Sequence, residues 1–283
     1  MAYILTLHCP NRPGIVHAVS AFLLQEGANI VEAAQFDDES TGLFFSRIKF
    51  ELIEPKRTDP QGIAQRFEPV AREFKMEARF APAAARMPTV IMVSQLGHCL
   101  NDLLFRHSAG LLPIEIRAIV SNHRTFYQLA ASYGIPFHHI PVTLDTKKAA
   151  EAKLMEIFDA ETAELLVLAR YMQVLSDDLS QHLSGRAINI HHSFLPSFKG
   201  ARPYQQAYER GVKLIGATAH YVTGDLDEGP IIEQDVERAD HSMNVAELTA
   251  IGRDVESVVL ARAVKWHAEH RILLNGSKTV VFR

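Results

Sequence analysis

Apolar and polar positions follow one rhythm up to about residue 80 and another beyond it. Tyr3 to Cys9 is a short apolar run suited to a strand. Pro13 to Gln25 carries Val16, Val19, Phe22 and Leu23 at helical spacing, with Pro13 placed for the first helical position and Gly27 for a C-terminal cap. Ala28 to Phe36 and Leu43 to Phe50 read as strands on either side of Asp37-Asp38-Glu39-Ser40-Thr41-Gly42, a hairpin pattern. Gln61 to Phe74 has a helical period, and Met76 to Phe80 ends the segment with a short strand. The order βαββαβ predicts a ferredoxin-like unit over residues 1–82, and the Ala/Pro-rich residues 83–88 predict a linker.

Residues 89–283 show short continuous apolar runs separated by helical patterns. Thr89 to Val93, Ile114 to Val120, Phe137 to Ile140, Leu165 to Ala169 and Ala187 to Ile190 are the runs; Cys99 to Ala109, Phe126 to Tyr133 and Lys147 to Phe158 are helices between them. Strands apolar at consecutive positions are buried on both faces, so this second unit is predicted as α/β, a doubly wound and mostly parallel sheet. Leu214 to Val222 and Pro230 to Val236 read as an antiparallel extension, Val245 to His270 as a long helix, and Lys278 to Phe282 as a final strand.

The chain has 283 residues, enough for two domains, and its 47% apolar and 22% charged content allows a real core. The net charge of −4 gives no basic field for nucleic acid or an anionic membrane. No apolar run is long enough to span a bilayer, and the N-terminus has no secretory pattern. Cys9 and Cys99 supply neither a disulfide framework nor a four-thiolate metal site and read as small buried side chains, so a reducing cytoplasm is the expected compartment.

Ligands of open α/β sheets collect beyond the carboxyl ends of the strands. Asn189 and His191 lie two apart at such an end, where an extended backbone aims both to one side. An amide donor and an imidazole over one point suit a carbonyl under attack; a hydrogen-bonded strand end without chemistry is the plainer reading. The loop Thr223-Gly224-Asp225-Leu226-Asp227-Glu228-Gly229-Pro230 is either a solvated turn or a source of a carboxylate that orients water beside His191. Arg170 to Ser176 is either a connection or a wall for a flat heterocycle. Ser94-Gln95-Leu96-Gly97-His98 after the first strand is neither a dinucleotide nor a triphosphate cradle. His191, His192, His220, Asp225 and Asp227 lack metal-motif spacing, and adjacent His191 and His192 are expected to point to opposite faces, so no metal is expected.

The stretch Asn189-Ile-His191-His-Ser193-Phe-Leu-Pro196-Ser-Phe-Lys-Gly200, with Thr218-Ala-His220 and Leu226-Asp227-Glu-Gly229-Pro230, resembles the folate-dependent formyltransferase family. The resemblance spans roughly residues 88 to 283. Cys9-Pro10-Asn11-Arg12-Pro13-Gly14-Ile15-Val16 and Asn29-Ile30 resemble an ACT domain. That pairing, with Gly97-His98-Cys99-Leu100-Asn101-Asp102-Leu103-Leu104, is similar to the formyltetrahydrofolate deformylases. The resemblance implies hydrolysis of 10-formyltetrahydrofolate to tetrahydrofolate and formate, feeding one-carbon and purine metabolism, with Asn189, His191 and Asp227 as the catalytic trio. It further implies a folate site at Tyr171, Met172, Gln173, Leu175, Val222, Thr223, Gly224 and Asp225, and no cofactor beyond the substrate. From the ACT part it implies an amino-acid effector near Asn11, Arg12 and Gly14, and a homo-oligomer. Gln95, Leu96 and His98 stand where formyl transfer to a phosphorylated amine needs a Gly-rich turn, so water is the expected acceptor. Transfer to an amine, or a folate or amino-acid sensor without turnover, are the alternatives. The hydrolytic reading requires the Asp227 carboxyl and the His191 ring to meet, well within ~10 Å.

Overall fold

The computed structural model describes residues 1–53, 60–196 and 203–283. By its contacts the chain divides into two compact units: Met1–Ala85 with Glu269–Asn275 and Thr279–Arg283, and Arg86–Ala268 with Gly276–Lys278.

In the first unit β1 (Ala2–Pro10), α1 (Ile15–Gln25), β2 (Ala28–Asp38), β3 (Leu43–Leu52), α2 (Pro60–Phe74) and β4 (Glu77–Pro82) follow in the βαββαβ order. The sheet runs β2-β3-β1-β4 and is antiparallel throughout. Tyr3, Leu5, Leu7 and Cys9 alternate along β1 and bury one face against Val19, Phe22, Ile63 and Phe67 of the helices. Pro13 is not the first helical residue: Gly14, at φ 97, turns left-handed and α1 starts at Ile15. Gly27 at φ 70 ends the helix as expected, since only glycine takes that conformation without a steric penalty.

The chain end departs from the expected boundary at 283. Beyond the second unit's last helix, β12 (Ile272–Asn275) and β13 (Lys278–Val281) form a hairpin, of which only the second strand was expected. Leu273, Val280 and Phe282 cluster with Phe45 of β3, so most of this hairpin belongs to the first unit. The buried Arg47 guanidinium holds it by donating to the carbonyls of Glu269 and His270, each at 3.1 Å. β3 is therefore buried on both faces around Phe45 and Arg47, and a period-two reading could not reveal its second partner.

The second unit contains β5 (Met87–Val93), α3 (His98–Ser108), β6 (Ile114–Ser121), α4 (Tyr127–Ser132), β7 (Phe137–His139), α5 (Lys147–Ala160), β8 (Leu165–Leu168), α6 (Asp177–His182) and β9 (Ala187–His191). After these come α7 (Pro203–Arg210), β10 (Leu214–Tyr221), β11 (Ile231–Arg238) and α8 (Val245–Ala268). Its sheet order is β11-β10-β9-β8-β5-β6-β7, parallel from β9 to β7 and antiparallel at β10 and β11. Strand order reverses at β5, so the crevice beyond the ends of β5 and β8 is the topological switch point. Leu154, Ile157 and Phe158 of α5 and Leu179 of α6 pack on Val90, Met92, Leu166 and Leu168. The short helices α6 and α7, of six and eight residues, are additions to the expected pattern. The start of α6 did carry a signal: Ser176 Oγ accepts from Leu179 N–H at 3.3 Å, followed by Asp177 and Asp178 in the first turn.

Candidate active site

β10 runs antiparallel beside β9 and pairs His220 with Asn189 and Thr218 with His191. Asn189 Nδ2 therefore donates to His220 Nε2 at 3.2 Å. His220 Nδ1–H donates to the Tyr221 carbonyl at 2.8 Å, so Nε2 accepts from Asn189 in the neutral ring and is a donor towards Asp227 in the protonated one. The Asn189 amide nitrogen carries two hydrogens, so it can serve His220 and a ligand together.

The loop between β10 and β11 brings in the carboxylate. Asp227 Oδ2 lies 3.2 Å from His191 Nδ1, and Oδ1 lies 3.7 Å from His220 Nε2. Asp227 sits at φ 56, a left-handed conformation that aspartate tolerates better than most residues. The loop closes tightly on β10: a Cβ at Gly229 would run into the Tyr221 carbonyl oxygen, and Tyr221 N–H donates to the Pro230 carbonyl at 3.0 Å. No other residue allows that approach. Burial pushes the Asp227 carboxyl up, but hydrogen bonds from His191 and His220 and their charges outweigh it and hold the group well below the usual carboxylate range. With Nδ1 turned to Asp227, His191 keeps Nε2, which among the described residues is a buried nitrogen without a hydrogen-bond partner.

These groups form part of the wall of a cavity of about 330 Å³. Such a volume suits a small-molecule site. Tyr171, Met172, Gln173, Leu175, Val222, Thr223 and Asp225 all line it. Gly224 is not among the lining residues; a Cβ there would face the Asp177 carboxylate at 3.4 Å. The rim is apolar and open, with Met172 at 56% and Leu226 at 61% exposure. Burial, then the nearby Glu151 charge, pushes the Tyr171 phenol up to about 12.

The Formyl transferase family profile matches residues 87–264, and the ACT domain profile matches residues 3–68. A formyltetrahydrofolate deformylase from Corynebacterium sp. (strain P-1) is 51% identical over 99% of this chain and 98% of its own. The chain belongs to the formyltetrahydrofolate deformylase family. The crystal structure of the formyltetrahydrofolate deformylase from Burkholderia mallei ATCC 23344 superposes with a TM-score of 0.95 at 52% identity, covering 100% of this chain and 99% of that one. A phosphoribosylglycinamide formyltransferase from Coxiella burnetii shares the fold over 69% of this chain and 93% of its own, at 30% identity and a TM-score of 0.65.

Within this deformylase-family fold, three features of the site escape a reading of residues one strand at a time. His220, present in the Thr218-Ala-His220 motif, becomes the second imidazole on Asp227 only because β10 is antiparallel and in register with β9. Thr218 pins the loop after β9: its Oγ1 donates to the Ser193 carbonyl at 2.9 Å and accepts from Leu195 N–H at 3.0 Å and Gln234 Nε2 at 2.9 Å. The expectation that His191 and His192 point to opposite faces needs correction, because the strand ends at His191 and alternation stops with it; the two rings pack edge to face at 4.9 Å. The Lys199-Gly200 part of the motif lies outside the described residues.

The ligand atoms of His98, Cys99 and Glu256 lie within 4.8 Å of one another, the one such cluster among the described residues. Its donors are committed elsewhere. Glu256 accepts from His98 Nε2 at 2.7 Å and Tyr204 Oη at 2.7 Å and faces Arg170 Nε at 3.3 Å, while burial, reinforced by the Glu256 charge, pushes the Cys99 thiol up and keeps it protonated. A cation here would sit against Arg170.

In the first unit the expected effector residues have partners of their own. Asn11 Nδ2 donates to Asp37 Oδ2 at 2.7 Å, and Arg12 donates to the Glu73 carbonyl at 2.7 Å with its guanidinium 4.0 Å over the Phe74 ring.

Proposed function

We propose that the protein hydrolyses 10-formyltetrahydrofolate to tetrahydrofolate and formate. The observation that carries the reading is the His191–Asp227 pair at 3.2 Å on the wall of a largely apolar cavity, with Asn189 beside it. Asp227, held as carboxylate, orients a water molecule for addition to the formyl carbon and takes the proton the water gives up. The Asn189 N–H and a protonated His191 Nε2 stabilise the oxyanion that forms. Collapse breaks the bond to N10, and His191 delivers the N10 proton directly or through a water. The pterin lies between the Tyr171 to Leu175 segment and the Val222 to Asp227 loop. The folate is substrate, and the mechanism assigns no resident cofactor or metal.

Incubation with 10-formyltetrahydrofolate alone tests the reading: formate and tetrahydrofolate are expected in equal amounts. A strict requirement for an amine would overturn it in favour of a transferase.

The relatives' name supports this activity, and the ACT profile supports a regulatory role for the first unit. That unit is assigned an amino-acid effector near Asn11, Arg12 and Gly14, bound where copies of the chain associate. Calorimetry across a panel of amino acids should detect one binder; silence across the panel would remove the assignment. Among the described residues no helix is long and apolar enough to cross a membrane, and the two buried thiols suit the reducing cytoplasm to which we assign the protein.

A further inference from the structure

Acyl transfer on this sheet needs two approaches to the formyl carbon, one for the folate and one for the acceptor. The folate segments account for the side of the cavity formed after β8 and by the Val222 to Asp227 loop. The remaining approach is the crevice beyond the ends of β5 and β8, where ligands of such sheets collect. Here that crevice is filled by side chains of the protein itself.

Glu256, on α8 and 1% exposed, is the centre of the filling. Its carboxylate takes His98 from the start of α3, Tyr204 from α7 and Arg170 from the end of β8. Arg170 sits at φ 64 and lines the cavity, and its carbonyl accepts from Ser94 N–H at 3.2 Å, tying the ends of β5 and β8 together. Ser94 Oγ in turn accepts from Met172 N–H at 3.0 Å, at the head of the folate segment. The packing is made for these rings. A Cβ at Gly252, one turn before Glu256, would collide with the Tyr204 phenol, and a Cβ at Gly97 would collide with the Phe126 ring. Tyr204 reaches across α8 only because Gly252 is bare, and it packs edge to face with His192 at 6.5 Å, next to His191.

We infer that the Glu256-centred cluster of His98, Arg170 and Tyr204 is the specificity determinant of the reaction, closing the acceptor approach to amines and leaving it to water. This deepens the hydrolytic reading and rests on it. If the cluster is opened, a small primary amine takes the place of water. The amine nitrogen attacks the formyl carbon, the carbon–N10 bond breaks, the amine loses one proton and N10 gains one. No redox partner is needed.

The test follows formate, formylated amine and tetrahydrofolate together by mass spectrometry, with glycinamide present in excess. Wild type should give formate with only a trace of formylated glycinamide. Tyr204→Ala, which removes the plug, and Gly252→Ala, which displaces it, should raise the share of formyl groups reaching glycinamide on the order of 10- to 100-fold. Tyr204→Phe keeps the ring in place and should stay hydrolytic. A loss of structural integrity alone would lower all products and create no new one. Folded opened variants that yield only formate would overturn the inference, and so would wild type that formylates glycinamide readily, a result that needs no variant at all. Wild type that releases no formate without an amine would instead overturn the hydrolytic reading, so the two failures are distinguishable.

Discussion

In the second unit two carboxylates, the buried Glu256 and the half-buried Asp227, are each paired with histidine, and they are built in opposite ways. Glu256 sits within a helix, 1% exposed, and its partners His98 and Tyr204 are both at 2.7 Å. Asp227 sits on a loop in a left-handed conformation, with imidazoles at 3.2 and 3.7 Å and a cavity in front. Burial pushes both carboxyls up and donors pull both down further, so both are charged. The difference lies in what is left over. The Glu256 carboxylate is held by two short bonds and by the Arg170 charge at 3.3 Å, with no cavity in front of it among the described residues, and acts as a fixture. The Asp227 cluster keeps longer contacts, 3.2 and 3.7 Å, and leaves His191 Nε2 without a hydrogen-bond partner among the described residues, beside a cavity.

Asp227→Asn is the strongest way to break this contrast. It should lower turnover of 10-formyltetrahydrofolate roughly 10²- to 10⁴-fold, with a melting temperature near that of wild type. Near-normal formate release would remove Asp227 from the chemistry. Glu256→Ala should act on the fold instead, costing about 3–5 kcal/mol in urea unfolding because the buried Arg170 is left without its counter-charge. A cost under about 1 kcal/mol would mean that the cluster is dispensable. Asn189→Ala should cost about 10²- to 10³-fold in kcat with a smaller change in KM, the signature of a lost oxyanion donor. A change confined to KM would assign Asn189 to binding.

The smallest effect concerns pH. Burial first, then the Arg170 and His191 charges, pushes His192 down from 6.5 to about 4. The unfolded chain therefore takes up this proton before the folded one does. Stability falls as pH drops from about 6.5 to about 4 and levels off below, at most roughly 1 kcal/mol per pH unit. His270, in the first unit, is pushed down to about 4 by burial, Arg79 and Arg47, and contributes in the same window. The His192 share is thus the slope removed by His192→Gln. An unchanged slope would place the proton uptake elsewhere.

Much of this arrangement was legible in residue order. Continuous apolar strands announced a parallel sheet, the βαββαβ order announced the ferredoxin-like unit, and Asn189 and His191 shared a face by period alone. What stayed hidden depends on register or on contact between distant segments. His220 joins Asp227 through the pairing of β10 with β9, and the last hairpin adds to the first unit through Phe45 and Arg47. Glu256 reads as one more acid in a long helix until Gly252 lets Tyr204 cross it.

By itself, then, the order of residues determined the two rhythms, the strand ends and the kinds of group available there, because side-chain periodicity is a local property of backbone geometry. Only the tertiary structure decided which acid works and which one locks. A carboxylate's role depends on how many donors reach it and whether a cavity remains beside it, and both depend on segments brought together from far along the chain.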